Sequence, residues 1–535
     1  MANSENAGDG VLTTQVTSLE DIRLRDAAKR GDAQACLAMA ERLFSGSKRL
    51  SRNYLLGLAY LQQELNRKSK AAILLLANSV PLDILLAQQL HPYLREAAAL
   101  GSCLATLKLG TLLALRSESR GEGTRLIKRS GICEGVIGDL EFDDPCAVAR
   151  FLKQLPPRVA NGPELALWGA RAALNEQSVE HACYFVAVAA NSMPLDYRLA
   201  KIVSSTVHLA AASQRTRLDL PVDLVEHSLL ACSARGEIDA QFVLGCAFAG
   251  MPYGQLMPQR IVRTRNFEKA AALLLRAADA GECQAWLKLS QMTPSFRGAI
   301  SSKGIARFFL EKAALAGVLE AQTKLGAALL KEATTLERAE EGIAWLGLAA
   351  RKSCPMAREL LRTLVLPIHE LAPDYEKSMV ERIRAIDPEL GVRVSLARAL
   401  HLTRREAMTF NARRDIRPWG LRIPGASHEN PKGRLAPVVS PEMESELQRA
   451  SEFFAASSSI EDMLFVQRSR AQRRIFKLLS IPESIFFADE IGRSLSHYGY
   501  GRHWACRSAP VLAKLFGDTP YPGQIDMTST RGVDG

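Results

Sequence analysis

The 535-residue chain lacks the motifs by which many enzymes and metal sites are identified. It contains no P-loop, no dinucleotide-binding glycine fingerprint, no HExxH zinc motif and no GxSxG nucleophile motif. Its ten cysteines form no CxxC pair and show no regular spacing, which argues against a zinc ribbon and favours reduced structural thiols. We therefore expect that the chain is not an enzyme and has no cofactor and no metal.

The sequence also contains no long apolar run, and we expect no secretory signal. Its most apolar stretch, residues 71–87, includes Asn78, Pro81 and Asp83, whereas a helix that crosses a bilayer needs about 20 mostly apolar residues. The first residues, MANSENAGDGVLTTQ, have neither the basic region nor the apolar core of a signal peptide. We expect a cytoplasmic protein without membrane insertion. Translocation as an effector stays open, because such proteins often lack a cleavable signal.

Aromatic residues and strand patterns are scarce as well. Aromatics make up 6% of the chain, and almost no segment combines β-branched residues with a period of two. Alanine, leucine and arginine are abundant instead, and these residues favour helix. The composition predicts an all-α protein and is typical of a GC-rich bacterial genome.

Six segments share the pattern A-A-x-x-G-x-x-x-A-x-x-x-L-G. Its turn position holds Gly31, Gly101, Gly236, Gly281, Gly317 and Ser353. Four residues later stand Ala35, Ala105, Ala240, Ala285, Ala321 and Ala357. Eight residues after the turn stand Met39, Leu109, Leu244, Leu289, Leu325 and Leu361. Such self-similarity predicts an array of units, each packed on its neighbours.

Each position of the pattern has a physical role in a helical hairpin. Glycine adopts the left-handed conformation in which many helices end. The small alanines before and after the turn let two helices approach closely. The residue eight after the turn lies one helical turn beyond the second alanine, on the same face. The pattern therefore predicts an α-solenoid of helical-hairpin repeats.

The spacing between turns supports one hairpin per repeat. It is 45 residues from Gly236 to Gly281 and 36 residues for each of the next two steps. The longer step contains MPYGQLMPQRIVRTRN, which we interpret as an insertion between helices. In its length and in residues 269–290, the pattern resembles the Sel-one-like repeat, a tetratricopeptide-related helical hairpin. The resemblance implies an adaptor or scaffold, often in bacterial signalling or host interaction, rather than an enzyme.

The repeat pattern becomes weaker towards both ends of the chain, and the expected domain boundaries follow from this. The related segments ANSVPLDILLA and ANSMPLDYRLA indicate more divergent repeats in the N-terminal half. The expected regions are a disordered tail (1–20), the solenoid (21–390, best defined over 232–364), a basic irregular linker (391–439), a small helical C-terminal region (440–517) and a disordered tail (518–535).

Positive charge is concentrated after the solenoid. Residues 392–435 contain ten lysines or arginines and three acids, so they carry +7 of the chain's net charge of +11. The segment is either a solvated linker or a surface for a phosphate backbone or an acidic protein. In the second case the candidate contacts are Arg404, Arg405, Arg413, Arg414 and Trp419. LTRREAMTF also predicts a helix start, with Thr403 as N-cap and Glu406 three residues later.

Helices are expected again after residue 440. Ser440 and Pro441 precede a first turn rich in acids, as at a capped helix start. A later helix ends with Arg473, Arg474 and Lys477, which either match its dipole or form a binding face. The segment LSHYGYGRHWACR provides His503 and Trp504 as candidate partner contacts within a packed aromatic turn. A metal site or a nucleophilic Cys–His pair formed from His497, His503 and Cys506 is the alternative there.

These patterns together favour a protein–protein interaction scaffold or adaptor. It is expected to bind a protein or peptide partner through the solenoid surface. The alternative is a nucleic-acid-associated factor that uses the basic C-terminal third.

Overall fold

The computed structural model describes residues 19–46, 50–132, 145–213, 217–292, 303–370, 372–424, 433–456, 465–488 and 498–516. The chain divides into two compact units, Met1–Leu273 and Leu274–Gly535. Of the two predicted tails, only Leu19 and Glu20 lie within the described residues, and they begin a helix. No described helix has both the length and the apolar character of a membrane span.

Helices are the main regular element among the described residues of the first unit. Its helices are α1 (Leu19–Lys29), α2 (Ala33–Ser45), α3 (Tyr54–Asn66), α4 (Lys70–Ser79), α5 (Leu82–Ala87), α6 (Tyr93–Ala99), α7 (Cys103–Ala114), α8 (Arg120–Arg129), α9 (Pro145–Gln154), α10 (Gly162–Asn175), α11 (Val179–Ala190), α12 (Tyr197–Ala212), α13 (Val222–Ala234) and α14 (Ile238–Phe248). The next helix, α15 (Phe267–Asp279), crosses into the second unit. The predicted insertion lies before it and contains a short 3₁₀ turn at Pro258–Arg260.

The second unit continues the hairpins and then adds a small sheet. Its helices are α16 (Cys283–Met292), α17 (Lys303–Leu315), α18 (Leu319–Glu332), α19 (Leu336–Arg351), α20 (Pro355–Arg362), α21 (Pro373–Ile386), α22 (Pro388–Ala399), α23 (Arg404–Thr409), α24 (Ala412–Asp415), α25 (Pro441–Ala456), α26 (Phe465–Leu479), α27 (Arg502–Arg507) and α28 (Ala509–Phe516). Its strands are β1 (Ile416–Arg417), β2 (Gly420–Ile423) and β3 (Arg434–Pro437). The predicted all-α solenoid class is confirmed, with this sheet as an addition that the sequence patterns did not indicate.

All six repeat turns have the predicted left-handed conformation. The φ angles are 89° at Gly31, 88° at Gly101, 85° at Gly236, 107° at Gly281, 88° at Gly317 and 66° at Ser353. At each turn the next amide donates a hydrogen bond to the carbonyl five residues earlier, as Val318 N does to Ala313 O at 3.1 Å. This bond satisfies a carbonyl at the end of the helix. Ser353 shows that the turn does not require glycine.

Turns of this geometry also join helices in the N-terminal half where the repeat pattern is absent. Lys68 and Gln177 have φ angles of 55° and 57°. The following serines repeat the hydrogen bond, from Ser69 N to Glu64 O and from Ser178 N to Ala173 O. These turns join α3 to α4 and α10 to α11. Helical hairpins therefore continue through a region where the glycine pattern is missing.

The repeat positions predicted to pack between helices are buried. The alanine four residues after the turn is 5% exposed at Ala35 and fully buried in the other five repeats. The residue eight after the turn is buried in five repeats and half-buried at Leu109. The last glycine of the pattern has a role of its own. A Cβ atom at Gly326 would lie 2.7 Å from the Gly342 carbonyl oxygen, so the backbones of α18 and α19 meet there.

The segment expected to be an irregular linker is mostly regular, and that prediction is wrong over the described residues 391–424 and 433–439. It contains part of α22, the short helices α23 and α24, and an antiparallel sheet with strand order β1-β2-β3. Leu421 pairs with Ile416 on one side and with Ala436 on the other. The predicted capping box at the start of α23 is confirmed, with Thr403 and Glu406 each bonded to the other's backbone amide.

Residues beyond 391 share a hydrophobic core with the last repeat hairpin. Trp419, Leu435, Trp504 and Val511 are packed together with buried residues of α18, α19 and α20. A second core joins α21 and α22 to the sheet and to α25 and α26. The predicted limits of the solenoid and of the C-terminal region stay predictions, but the intervening residues are not a free link.

Candidate functional site

The arginines of the basic segment mostly face acids of the same chain. Arg417 donates to Glu340 at 2.7 Å, and Arg422 donates to Glu337 at 2.6 Å. Both acids lie on α19, so the β1–β2 hairpin is held by charge against the last repeat. For these two arginines, acids of the same chain occupy the place of the acidic protein that the sequence analysis considered as a partner.

The four predicted arginine contacts of this segment also interact within the chain. Arg404 pairs with Glu483 at 3.1 Å, and Arg414 pairs with Asp415 at 3.0 Å. Arg405 and Arg413 are exposed and have interactions of their own. The structure therefore does not bring these four side chains together as one unpaired basic surface.

Arg434 forms a buried ion pair that joins three parts of the second unit. Its guanidinium donates to both carboxylate oxygens of Glu406, at 2.9 and 2.7 Å. It also donates to the carbonyls of Leu364 and His401, each at 3.4 Å. Glu406 in turn accepts a bond from Thr403 N. Because Arg434 is fully buried, this bidentate pair is a structural element and not a contact for a partner.

The two tryptophans predicted as partner contacts are core residues instead. Trp419 is 7% exposed, and its Cβ is 3.3 Å from where a Cβ atom would lie at Gly347. Trp504 has no exposed surface, and its indole nitrogen is buried without a hydrogen-bond partner in the described structure. The prediction that these residues contact a partner is wrong, because hydrophobic burial against the repeat has taken both rings out of solvent.

His503 and Cys506 lie on the exposed side of the short helix α27. His497, the third residue of the alternative metal site, lies outside the described residues. Among the described residues, no group of three histidine, cysteine or acidic side chains is placed to hold a metal ion. Nearby contacts hold the segment in place: the Thr363 and Ser508 hydroxyls are 2.9 Å apart, and Arg507 donates to Thr363 O.

Arg473 and Arg474, two further predicted contacts, are open to solvent. Both are exposed on α26, and so are Arg470 and Lys477 of the same helix. The sequence prediction named Arg473, Arg474 and Lys477 of this group but not Arg470. The spacing of all four, at i, i+3, i+4 and i+7, was the signal that identifies one helical face.

A group of largely buried charges lies between α22 and α26. Arg393 donates to Glu389 at 2.8 Å, and Arg468 approaches the same carboxylate at 3.2 Å. The Arg393 guanidinium lies over the Phe410 and Phe454 rings, at 4.5 and 5.2 Å from their centroids. Burial lowers the pKa of Arg393, and the positive charge of Arg468 adds to this shift. The Glu389 carboxylate and the two aromatic rings therefore provide the Arg393 guanidinium with partners inside the protein.

The first unit has a polar cluster between α12 and the start of α14. Glu237 accepts hydrogen bonds from Tyr197 Oη at 2.5 Å and from Lys201 Nζ at 2.7 Å. The Arg235 guanidinium stacks on the Tyr197 ring, 4.2 Å from its centroid. The bond to Glu237 raises the pKa of Tyr197 and that of Lys201. Every member of this group has a protein partner, and the arrangement indicates a structural role.

Lys108 is a fully buried lysine of α7. Its ammonium donates to the carbonyls of Ala77 and Val80, at 2.6 and 2.8 Å, at the end of α4. Burial lowers the pKa of Lys108 to about 7, and the nearby Asp83 carboxylate opposes this shift. The lysine therefore caps a helix end from inside the core.

No family model matches the sequence, and no curated protein matches it. Among solved structures, the chain is similar to a protective antigen of uropathogenic Escherichia coli that displays an SLR fold. The identity is 14%, the match covers 86% of this chain and 95% of that chain, and the TM-score is 0.33. It is also similar to a Sel1 repeat protein from Oxalobacter formigenes, at 17% identity over 65% of this chain and 91% of that chain, with a TM-score of 0.23. In its six turn motifs and their common geometry, the chain resembles the Sel-one-like repeat family.

Proposed function

We propose that the chain is a protein-interaction scaffold whose helical hairpins bind a protein or peptide partner. The observation that carries this proposal is the recurrence of one hairpin geometry at turns from Gly31 to Ser353. Stacked repeats of this kind provide extended surfaces, and each repeat can vary its exposed residues without loss of the core. A role in signalling, regulation or host interaction in a bacterial cytoplasm is part of the proposal and rests on composition and on the resemblance.

One repeat hairpin offers an apolar contact surface. Phe308 and Leu315 of α17 are 49% and 71% exposed, and Leu319 at the start of α18 is 37% exposed. Phe308 and Leu315 are seven residues apart, so they lie on one face of their helix. Aromatic residues are enriched at protein contacts, and the exposed Phe308 ring also has the Lys312 ammonium 5.5 Å from its centroid.

The test uses the full chain, because residues beyond 391 share a core with the last hairpin. The immobilised chain is compared with a Phe308→Ala/Leu315→Ala variant, and proteins retained from an extract of the source organism are quantified by mass spectrometry. The matched control is Leu55→Ala/Leu56→Ala, which removes two residues that are 62% and 46% exposed on α3. We expect one or a few proteins whose retention falls about tenfold or more in the first variant only, as for the loss of a hot-spot contact.

Two results would contradict the proposal at different levels. Equal retention by both variants would show that the α17 face is not the contact surface. If the wild-type chain retains no protein above an unrelated helical control, the scaffold function itself is wrong.

The alternative function is nucleic-acid binding through residues 392–435. Several basic and aromatic residues of this segment are not available for it. Arg417 and Arg422 pair with α19, Arg434 is buried, and Trp419 lies in the core. A backbone-binding surface needs cations that are free to replace counterions. This segment is therefore not included in the proposed function.

A further inference from the structure

A row of four cations lies on the exposed face of α26 (Phe465–Leu479). Arg470, Arg473, Arg474 and Lys477 are all exposed. Their spacing of three, four and seven residues places them on one side of the helix, within about 100° of arc. None of the fifteen residues FVQRSRAQRRIFKLL is acidic. We call these four residues the α26 stripe.

The buried residues on the opposite face of α26 keep the α26 stripe on the solvent side of the helix. Ile475 and Phe476 are buried there, together with the polar Ser469 and Gln472. The Phe476 ring stacks on Phe487, with ring centroids 5.9 Å apart. Rotation of α26 would expose these residues, so the orientation of the stripe follows from the core.

Two acids that contact α26, Glu389 and Glu483, already have partners. Glu389 is shared by Arg393 and Arg468, and Glu483 accepts from Arg404 and Gln472. Within the described residues, no member of the α26 stripe forms an ion pair or a side-chain hydrogen bond. Four like charges at helical spacing repel one another in the free protein. An anionic partner would relieve this repulsion.

We propose that the α26 stripe binds the sugar–phosphate backbone of a nucleic acid. Three of its four cations are arginines, whose planar guanidinium matches phosphate oxygens in pairs. The site contacts only phosphates, so binding is independent of base sequence. This surface is separate from the α17 face, and it adds a second class of partner to the scaffold.

The composition of the α26 stripe favours a nucleic acid over a protein and over a membrane surface as its partner. A protein interface has an apolar core depleted in charge, whereas the centre of this face is all cationic. Its exposed aliphatic residues, Val466 at 51% and Leu478 at 72%, stand only at the two ends. A membrane-surface helix turns its apolar face into the lipid, but the apolar face of α26 packs on the protein.

The experiment measures binding of the full chain to fluorescein-labelled 20-residue oligonucleotides of mixed sequence, as duplex DNA and as single-stranded RNA, by fluorescence anisotropy. With four phosphate contacts, the logarithm of the duplex affinity should fall with the logarithm of the salt concentration with a slope of about −3.6. This slope corresponds to a loss of about 100-fold between 50 and 200 mM salt. The single strand should give a shallower slope of about −2.8.

The decisive variant is Arg470→Gln/Arg473→Gln/Arg474→Gln/Lys477→Gln. It should lose most of the affinity at low salt and nearly all of the salt dependence. The matched control removes four exposed charges from α1 and the residue that follows it, as Arg23→Gln/Arg25→Gln/Lys29→Gln/Arg30→Gln. It should bind as the wild-type chain does. The half-variants Arg470→Gln/Lys477→Gln and Arg473→Gln/Arg474→Gln each keep two cations and should each halve the slope, which tests the proposal even if the fourfold variant folds poorly.

Four outcomes would overturn the proposal. The first is no binding of either oligonucleotide at 50 mM salt. The second is an equal loss in the α1 control, which would indicate a response to net charge alone. The third is binding of phosphatidylserine vesicles, lost in the fourfold variant, with no oligonucleotide binding. The fourth is binding of poly-glutamate in place of the oligonucleotides, which would identify an acidic protein as the partner.

Discussion

Truncation of Trp504 to alanine should strongly destabilise the second unit. The indole has no exposed surface and packs among residues of α18, α19 and α20 with Val511. Its nitrogen has no hydrogen-bond partner in the described structure, so the variant loses packing and no bond. Truncation of a fully buried tryptophan costs about 3–5 kcal/mol. This is a large fraction of the roughly 5–15 kcal/mol by which native proteins are stable.

The assay is urea unfolding of the full chain followed by far-ultraviolet circular dichroism. Because the chain has two compact units, we expect the transition of the second unit to shift and that of the first to stay in place. His503→Ala is the matched control, since His503 is the exposed neighbour in the same helix. It should change stability by at most about 0.5 kcal/mol. Trp504→Phe keeps an aromatic ring in the site, so its free energy of unfolding should fall less than that of the alanine variant.

Unchanged unfolding of Trp504→Ala would refute this reasoning. It would mean that the ring does not hold the C-terminal segment to the last hairpin. Equal losses in the two alanine variants would also refute it, because burial could then not be the cause.

Three further changes test close helix packing and the buried charges. Gly123→Ala should cost about 1–3 kcal/mol in thermal unfolding, because its methyl would lie 2.5 Å from Ala114 N. In the same helix, Gly121→Ala meets no atom within 4 Å and should be neutral or stabilise by up to about 1 kcal/mol; equal effects would contradict the close approach. Arg434→Met should cost about 3–5 kcal/mol in urea unfolding, because Glu406 stays buried without its partner. Arg434→Met/Glu406→Gln should recover part of the loss, and no recovery would show that the unpaired charge is not its cause. The stability of the first unit should rise between pH 7 and 10.5, since Lys108 has a pKa of about 7 when folded and an ordinary value of 10.5. The unfolded chain binds the extra proton in that window; the rise should vanish in Lys108→Met, and a rise that persists would exclude Lys108 as its source.

The repeats could be predicted because their signals are local. A glycine at the turn, an alanine four residues later and a large apolar residue four further on are all set by neighbouring helical turns. Their conformation and burial agree with the pattern from Gly31 to Ser353. The turns at Lys68 and Gln177 were missed because a lysine and a glutamine carry no such signal. Only their backbone bonds show that the same turn is formed.

The C-terminal region could not be predicted from local patterns. Strand β2 has three buried residues of four and strand β3 has four of four, so neither strand has one buried and one exposed face, the arrangement that gives a clear period of two in a sequence. The arginines of the hairpin find their acids far away in sequence, as Arg417 does with Glu340, 77 positions away. The sequence pattern does not distinguish His503 from Trp504 as a partner contact, yet His503 is exposed and Trp504 is fully buried.

Net charge by segment is therefore a weak guide to a binding surface in this chain. The most basic segment, residues 392–435, has several of its arginines paired with acids elsewhere in the chain, whereas the α26 stripe keeps four cations without ion pairs in the described structure. The pairing also determines how the scaffold must be tested. A fragment that ends at residue 390 would leave Glu337 and Glu340 without Arg417 and Arg422 and would uncover the core that holds Trp419. Such a fragment would present a new acidic and apolar face on α19. Its binding of basic or aromatic peptides would report that exposed face and not the surface of the full chain.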